Sequence, residues 1–414
     1  MILPPLNLDG PAAIAFSGGG DSTAMVHAFR DRPNITHAFI IDHALRGGSE
    51  IEAQDAAQIA KSYGYEVEID RWAHHGIATG VQVKAREYRY AALGRMCRQA
   101  GIKHLVTAHS EDDQAETLLM RLDRQTGWRG LAGMPAAAYG PLWPSLGGVT
   151  LHRPWLHVSR QALREYNVLN SLTFIDDPSN QNSDFARVRA RQALAADPAL
   201  RVDLLSQQKQ MRSRLMEERQ EHRKWLVDNA RVSPQGFIET TSVPSPELLL
   251  HLINVVSGGG GPIDAAKRER LWRDMTKPDF KAATLGGAWI LRKNRDDCSE
   301  ADNMFVFLRD RVAVTGRETL SRLKPMVLEA DRIALWDGRF FCRAKTADIR
   351  VEIGFGHLQI LRQMPDFKTI FECPKEIRES LPVFFHKDKP VGFGACDTKF
   401  MVSRATSASR LQAL

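Results

Sequence analysis

The sequence has little cysteine. Its 414 residues include five, Cys97, Cys298, Cys342, Cys373 and Cys396, and no two form a CxxC pair. So scattered a set argues against a disulfide framework, a zinc site and an iron–sulfur cluster. No run of about 20 apolar residues is present to span a bilayer. The opening residues MILPPLNLDG lack both a basic start and a long apolar centre, so they do not read as a secretory signal. A cytoplasmic protein with no membrane partner is expected. Internal repeats and low-complexity tracts are also missing. What remains is ordinary globular composition, 43% hydrophobic and 25% charged, which excludes disordered, collagen-like and coiled-coil classes. The length predicts two or three domains. Lys and Arg number 56 against 49 Asp and Glu, a formal charge of +7. That balance favours a polyanionic partner such as nucleic acid.

The first third alternates apolar runs with amphipathic stretches. Ala12–Phe16, His37–Asp42, Tyr65–Arg71 and Lys103–Ala108 read as strands. Thr23–Arg30, Glu52–Tyr63, Val83–Ala100 and Glu111–Arg124 read as helices. Strands separated by helices imply βαβ units and a parallel sheet, which binds ligands at the carboxyl ends of its strands. Arg201–Val227 has almost no Gly or Pro and predicts a long helix. Pro234, Gly236, Pro244 and Pro246 end it. Beyond lie a mixed region to about residue 330 and a terminal region with strand-like Val351–Ile360 and Pro382–Gly394. The expected domains are therefore 1–200, a linker helix 201–235, then 236–330 and 331–414.

The sharpest local signal is Ser17-Gly18-Gly19-Gly20-Asp21-Ser22, where a strand ends and a helix starts. Three glycines let the backbone turn tightly and present N–H groups to an anion, and the helix adds its positive end. Ser17 and Ser22 add hydroxyls. Pyrophosphate is the natural guest. A Walker A loop would need a lysine near its end, and a dinucleotide fingerprint would need a third glycine where Ser22-Thr23 stands. The hexapeptide resembles the SGGxDS motif of the N-type ATP pyrophosphatases, which split ATP between its α and β phosphates. By contrast, Ser257–Gly261 follows no clear strand, precedes Pro262, and reads as a flexible loop.

Three further groups close strands or lie on helices. Asp42-His43-Ala44-Leu45-Arg46 is either a site for magnesium, base and phosphate or a plain strand exit. In His109-Ser110-Glu111-Asp112-Asp113-Gln114-Ala115-Glu116-Thr117, Asp113 and Glu116 share a helix face and suit a cationic ligand. Equally, Ser110 and Asp113 suit a capping box. Arg86 and Arg89 share a face, and either bind phosphate or pair with neighbours such as Glu87.

Taken in order, SGGGDS, IDHALR, AREYRY, HSEDDQAET, GLAGMP and DDPSN resemble the tRNA(Ile)-lysidine synthetase family. Gly130–Pro135 is similar to that family's GLxGM loop, Arg153-Pro154-Trp155-Leu156 to its RPLL segment, and Asp177-Pro178-Ser179-Asn180 to its DPSN. Arg187-Val188-Arg189-Ala190-Arg191 departs from the usual RNRIR, valine replacing asparagine. The likeness covers residues 12–195 well. It is weaker beyond, in Thr284–Ala288 and Leu381–Gly394.

The resemblance implies a parallel-sheet, Rossmann-like PP-loop ATP pyrophosphatase domain, a long linker helix and two smaller α+β domains that bind tRNA. It implies ATP, Mg2+, L-lysine and a CAU-anticodon tRNA(Ile), and leaves a homodimer open. The reaction implied is adenylation of the wobble cytidine, then attack by lysine, giving lysidine, AMP and pyrophosphate. Ser17, Gly18, Gly19, Gly20, Asp21 and Ser22 would hold ATP. Asp42 would ligand magnesium or orient the reacting phosphate, with His43 beside it. Arg86 and Arg89 would face phosphate or the lysine carboxylate, and Asp113 and Glu116 would grip the lysine amines. The basic stretch from Phe185 to Trp225, ten Lys or Arg against five Asp or Glu, would track tRNA phosphates through Arg187, Arg189 and Arg191, or is only a solvated helix. A base thiolase on the same fold and a non-catalytic tRNA-binding protein are the rival readings. NAD, GMP and asparagine synthetases share the glycine loop but lack the HSEDDQAET–GLAGM series.

Overall fold

The computed structural model describes residues 4, 6, 8–74, 80–175, 186–259, 263–294, 303–316 and 323–414. The packing divides the chain into two compact units, Met1–Arg219 and Gln220–Leu414.

The first unit runs β1 (Ala12–Ala15), α1 (Gly20–Phe29), β2 (Ile35–Asp42), α2 (Ser49–Ser62), β3 (Glu66–Arg71), α3 (Val81–Gln99), β4 (His104–Val106), α4 (Glu111–Asp123), α5 (Trp128–Leu131), β5 (Ala137–Tyr139), β6 (Thr150–His152), α6 (Arg160–Leu169) and α7 (Ala186–Ala196). Its sheet has the order β3-β2-β1-β4-β6-β5, parallel throughout except that β5 runs antiparallel to β6. The central strand is apolar on both faces because both are covered. Ile14 packs with Met25, Phe29 and Trp155 on one side. Its neighbour Ala13 packs with Tyr90, Leu93 and Met96 on the other. Adjacent residues of a strand point oppositely, so one short run feeds two cores. The strand order reverses at β1 and β4, which opens a crevice beyond their carboxyl ends.

Helix α7 packs on α4 through Leu194, Leu118 and Ala115, joined by Leu204. Leu204 belongs to α8 (Pro198–Asn229), three residues longer at its start than the spacing predicts. The boundary between the units falls inside this helix.

The second unit begins with β7 (Ala230–Val232), β8 (Ile238–Thr240), α9 (Pro246–Val256), α10 (Ala265–Met275), β9 (Ala282–Leu285), β10 (Ala288–Asn294) and β11 (Asn303–Arg309). They form an antiparallel sheet in the order β7-β8-β11-β10-β9. There follow α11 (Arg311–Thr315), β12 (Met326–Leu328), β13 (Ile333–Trp336), β14 (Phe340–Ala344), β15 (Ile349–Ile353), α12 (Leu358–Arg362), α13 (Lys375–Arg378), β16 (Pro382–His386), β17 (Lys389–Phe393), β18 (Met401–Ala405) and α14 (Ser407–Gln412). Two more antiparallel sheets result, β12-β15-β16-β17 and β13-β14-β18. The strand expected over Val351–Ile360 stops at Ile353, and Leu358 already opens a helix.

The division expected at residue 330 crosses shared cores. Phe237, Val306 and Leu308 pack with Trp336, Phe340 and Phe384. Leu411 and Leu414 return to pack with Leu249, Ile253 and Phe307. Asp337 is clasped by Arg309 at 2.9 Å and Arg339 at 2.7 Å, all three nearly buried. Gly258 sits against this turn. A Cβ there would lie 2.0 Å from the Asp337 carbonyl oxygen, and φ is +78°. The start of Ser257–Gly261 is therefore a tight packing point rather than a loose loop, because glycine alone admits that approach. Gly260 and Gly261 lie outside the described residues. Among the described residues no helix is long and apolar enough to cross a membrane.

Candidate active site

The glycine loop joins β1 to α1 at the reversal of strand order. Gly18 has φ +76°, and a Cβ there would come within 2.7 Å of Ile175 Cδ1 and 3.3 Å of Ala56 Cβ. The N-cap of α1 is Gly19, which has no side chain to cap the helix. First-turn N–H groups are thereby left for a guest anion. The hydroxyls brace the loop. Ser22 Oγ donates to Gly19 O at 2.9 Å and lies 3.1 Å from Ser17 Oγ, and Thr23 Oγ1 donates to Gly18 O at 3.1 Å. Ser22 thus spends its proton on the loop itself. Asp21 stands in the first turn, 3.4 Å from Arg160 Nε. Burial pushes its carboxyl above the usual range, Arg160 opposes that rise, and Asp113 adds to it.

At the end of β2, Asp42 is buried. Its Oδ1 accepts the Ala44 N–H at 2.8 Å, while Oδ2 is buried with no hydrogen-bond partner, 3.5 Å from Arg71 Nε. His43 Nδ1 is likewise buried without a partner. Burial and Arg89 push the His43 imidazole below its ordinary pKa, against the pull of Asp42.

After β4, Asp113 caps its helix and also meets cationic side chains of the protein itself. Asp113 Oδ2 accepts from Ser110 N at 2.8 Å and Ser110 Oγ at 3.0 Å, completing a capping box on α4. Asp113 Oδ1 takes Arg160 and Arg187, each at 2.9 Å. Glu116, 1% exposed, takes Arg160 at 3.0 Å, Arg187 at 2.8 Å and Arg191 at 2.9 Å. Burial acts to raise the Asp113 carboxyl, but Arg187 and Arg160 outweigh it and hold it below the usual range. His109 donates to or accepts from Thr107 Oγ1 at 2.8 Å. Burial pushes its pKa down to about 3, so the ring is neutral at physiological pH.

Arg187 and Arg191, expected to face tRNA, therefore turn inward onto the carboxylates. They stand four apart on α7, so one face carries both. Arg189 is exposed on the outward face, where it lines a surface cavity with Leu119, Asp123 and Arg124. Arg160 was missed in the sequence. Its signal was Ser159, which caps α6 and puts Arg160 at the first helical position, with its N–H 2.6 Å from Asp112 Oδ2.

Arg86 and Arg89 lie against the ring of Tyr90, Cζ to centroid 4.9 and 5.1 Å. The GLAGMP segment is tied to α4 and α8. Gln114 donates to Met134 O at 2.9 Å and accepts from Met134 N at 2.8 Å, while Arg212 donates to Met134 O at 3.0 Å and Gln208 to Ala132 O at 3.1 Å. The Asp176–Asn180 motif lies outside the described residues.

Residues 8–197 match the PP-loop domain family. A tRNA(Ile)-lysidine synthase of Hyphomonas neptunium is 34% identical over 306 residues, covering 72% of this chain and 83% of that one. The chain belongs to the tRNA(Ile)-lysidine synthase family. A further tRNA(Ile)-lysidine synthase, from Anaplasma marginale, is 30% identical over 355 residues, with 82% and 72% coverage. Among solved structures, the U34-tRNA thiolase NcsA from Methanococcus maripaludis overlaps with a TM-score of 0.42 at 15% identity, over 50% of this chain and 74% of that chain. For this lysidine synthase family member, the PP-loop match takes in the glycine loop, Asp42, both carboxylates of α4 and the three arginines that hold them, and stops short of α8.

Proposed function

We propose that the crevice between β1 and β4 carries out lysidine formation as follows. The chain uses ATP to join L-lysine to carbon 2 of the wobble cytidine of CAU-anticodon tRNA(Ile). The cytidine O2 attacks the α-phosphorus of ATP, and pyrophosphate leaves. The lysine ε-amine then attacks carbon 2, and O2 departs on AMP. Reading of the codon moves from AUG to AUA, and identity from Met to Ile. The observation that carries this reading is Arg160. Its one guanidinium reaches Asp21 of the glycine loop and both Asp113 and Glu116. A phosphate loop and an acidic pair thus share one crevice.

The roles follow from position. Backbone N–H groups of Gly18–Ser22 meet the phosphates, where donors aimed at developing charge act most strongly. Asp42 fits a magnesium ion, since its Oδ2 is buried with no hydrogen-bond partner. Among the described residues no group of three His, Cys, Asp or Glu side chains surrounds a metal position. That suits an ion held by one carboxylate and substrate phosphates. When bound, magnesium would neutralise charge on those oxygens. Asp113 and Glu116 form the anionic pole for the lysine amine. The incoming ammonium exchanges for a guanidinium, and Arg187 and Arg191, with side chains 37% and 38% exposed, leave more readily than Arg160 at 14%. Arg189, α8 and the Gln220–Leu414 unit are read as the tRNA-binding parts. Thiolation is not favoured. Cys97 is fully buried, and burial pushes its thiol to about 12, which leaves no thiolate to react.

The test is Glu116→Gln. Lysine incorporation should fall at least about 100-fold, because the substitution takes a charged partner out of a buried site. ATP–pyrophosphate exchange stimulated by tRNA should persist. Lysine incorporation at the wild-type rate in a folded variant would contradict the assignment of Glu116.

A further inference from the structure

Asp42 closes β2, and its register partner at the end of β3 is Arg71. They make an uneven pair. The Asp42 side chain is 2% exposed and that of Arg71 is 52% exposed. Asp42 Oδ1 takes the Ala44 N–H, which leaves Oδ2 as the oxygen for a ligand. Arg71 Nε lies 3.5 Å from Oδ2, and this contact is not a hydrogen bond. The other end of the same guanidinium does make one. Arg71 Nη1 donates to Glu50 Oε2, in the first turn of α2. Glu50 is the main reason that the Arg71 guanidinium lies above its ordinary pKa, and Asp42 contributes least. Among the described residues, Arg71 is the one Lys or Arg that pairs with Asp42.

One guanidinium thus has two carboxylates in reach. It is bonded to the exposed one and only near the buried one. A buried carboxylate needs a countercharge, and an arginine fork bonded to both its oxygens would supply one that is hard to displace. The contact at Asp42 is the opposite. It is single-ended, lacks a hydrogen bond and comes from a half-exposed side chain with a second anion to go to. A divalent ion that approaches Oδ2 meets Arg71 as a like charge at close range. Glu50 gives Arg71 a partner to keep when it is displaced.

We infer that Arg71 competes with the metal ion for Asp42, and that Glu50 holds Arg71 when the ion takes its place. Arg71 thereby keeps the affinity of Asp42 for a free cation low. The ion is retained when ATP phosphates supply its other ligands. The inference rests on the reading of Asp42 as the magnesium ligand.

Mn2+ titrations followed by electron paramagnetic resonance test it, Mn2+ standing for magnesium as another oxygen-seeking ion. Full-length wild type, Arg71→Gln, Glu50→Gln, the double variant and Asp42→Asn are compared. Each is titrated alone and with one equivalent of α,β-methylene-ATP, whose bond between the α and β phosphorus atoms does not split. Arg71→Gln should bind Mn2+ about tenfold more tightly than wild type, since a like charge is removed. A merely structural role for Arg71 would instead loosen the end of β3 and weaken the ion. Glu50→Gln should bind it about twofold to fivefold more weakly, because Arg71 then settles on Asp42. Once Arg71 is gone, Glu50→Gln should have no further effect, because Glu50 acts through Arg71. Full additivity of the two substitutions would mean a general field effect and overturn the competition. So would an Mn2+ affinity of Arg71→Gln no higher than wild type. In that case loss of the ion in Asp42→Asn would leave the magnesium reading standing, whereas wild-type affinity in Asp42→Asn would sink both. Should Arg71→Gln not fold, Glu50→Gln decides alone, weaker binding supporting the competition and unchanged binding overturning it.

Discussion

Gly18 shows how much one residue bears at this site. Its φ of +76° costs about 1–2 kcal/mol for any residue with a Cβ. That Cβ would also meet Ile175 and Ala56. Gly18→Ala should therefore lower the melting temperature by a few degrees, since about 1 kcal/mol shifts a domain of this size by about 2–4 °C. It should slow tRNA-dependent pyrophosphate release at least about tenfold, because the N–H groups on either side shift together. Unchanged release in Gly18→Ala would show that the loop does not hold phosphate in this conformation. At this scale the sequence was legible where chemistry is local. The glycine loop and the Ser110–Asp113 cap could both be read from a few adjacent letters. The partners of Arg187 and Arg191 could not. Spacing tells which residues share a face, but not that the face meets Glu116, 71 and 75 residues away.

The elements that carry the site are held by a few side-chain ties. Gln114 of α4 holds Met134 through both its amide oxygen and nitrogen, and Gly133 turns beneath it with φ +74°. In Gln114→Ala the Met134 carbonyl keeps Arg212, but the buried Met134 N–H loses its acceptor. Leaving that donor unpaired costs about 1–3 kcal/mol. The urea midpoint should fall accordingly with an unchanged slope. A midpoint equal to wild type would mean the tie contributes nothing. Of the four leading strands, β1, β2 and β4 were readable as apolar runs bounded by turn residues, and β3 as an alternation of charged residues with Val67 and Ile69. The pair β5 and β6 was not, since these short strands flank a stretch broken by Gly140, Pro141, Pro144, Gly147 and Gly148, which reads as loop. The strand expected over Val351–Ile360 ran on through Gly354 and Gly356, which in the fold mark its end.

At the scale of the molecule, the PP-loop unit was legible and the second unit much less so. Its cores join segments far apart in the chain, as Phe237 with Trp336 and Leu249 with Leu411, and no local pattern records such pairings. The boundary expected at residue 330 is crossed by these shared cores. The central claim concerns the whole chain acting on tRNA, and one measurement tests it most directly. Full-length protein is incubated with ATP, magnesium and radiolabelled lysine on a CAU-anticodon isoleucine tRNA transcript, beside a matched transcript with uridine at the wobble position. The account predicts label in the first and none in the second. ATP consumed on the cytidine transcript without label would contradict it and point to a nucleophile other than lysine.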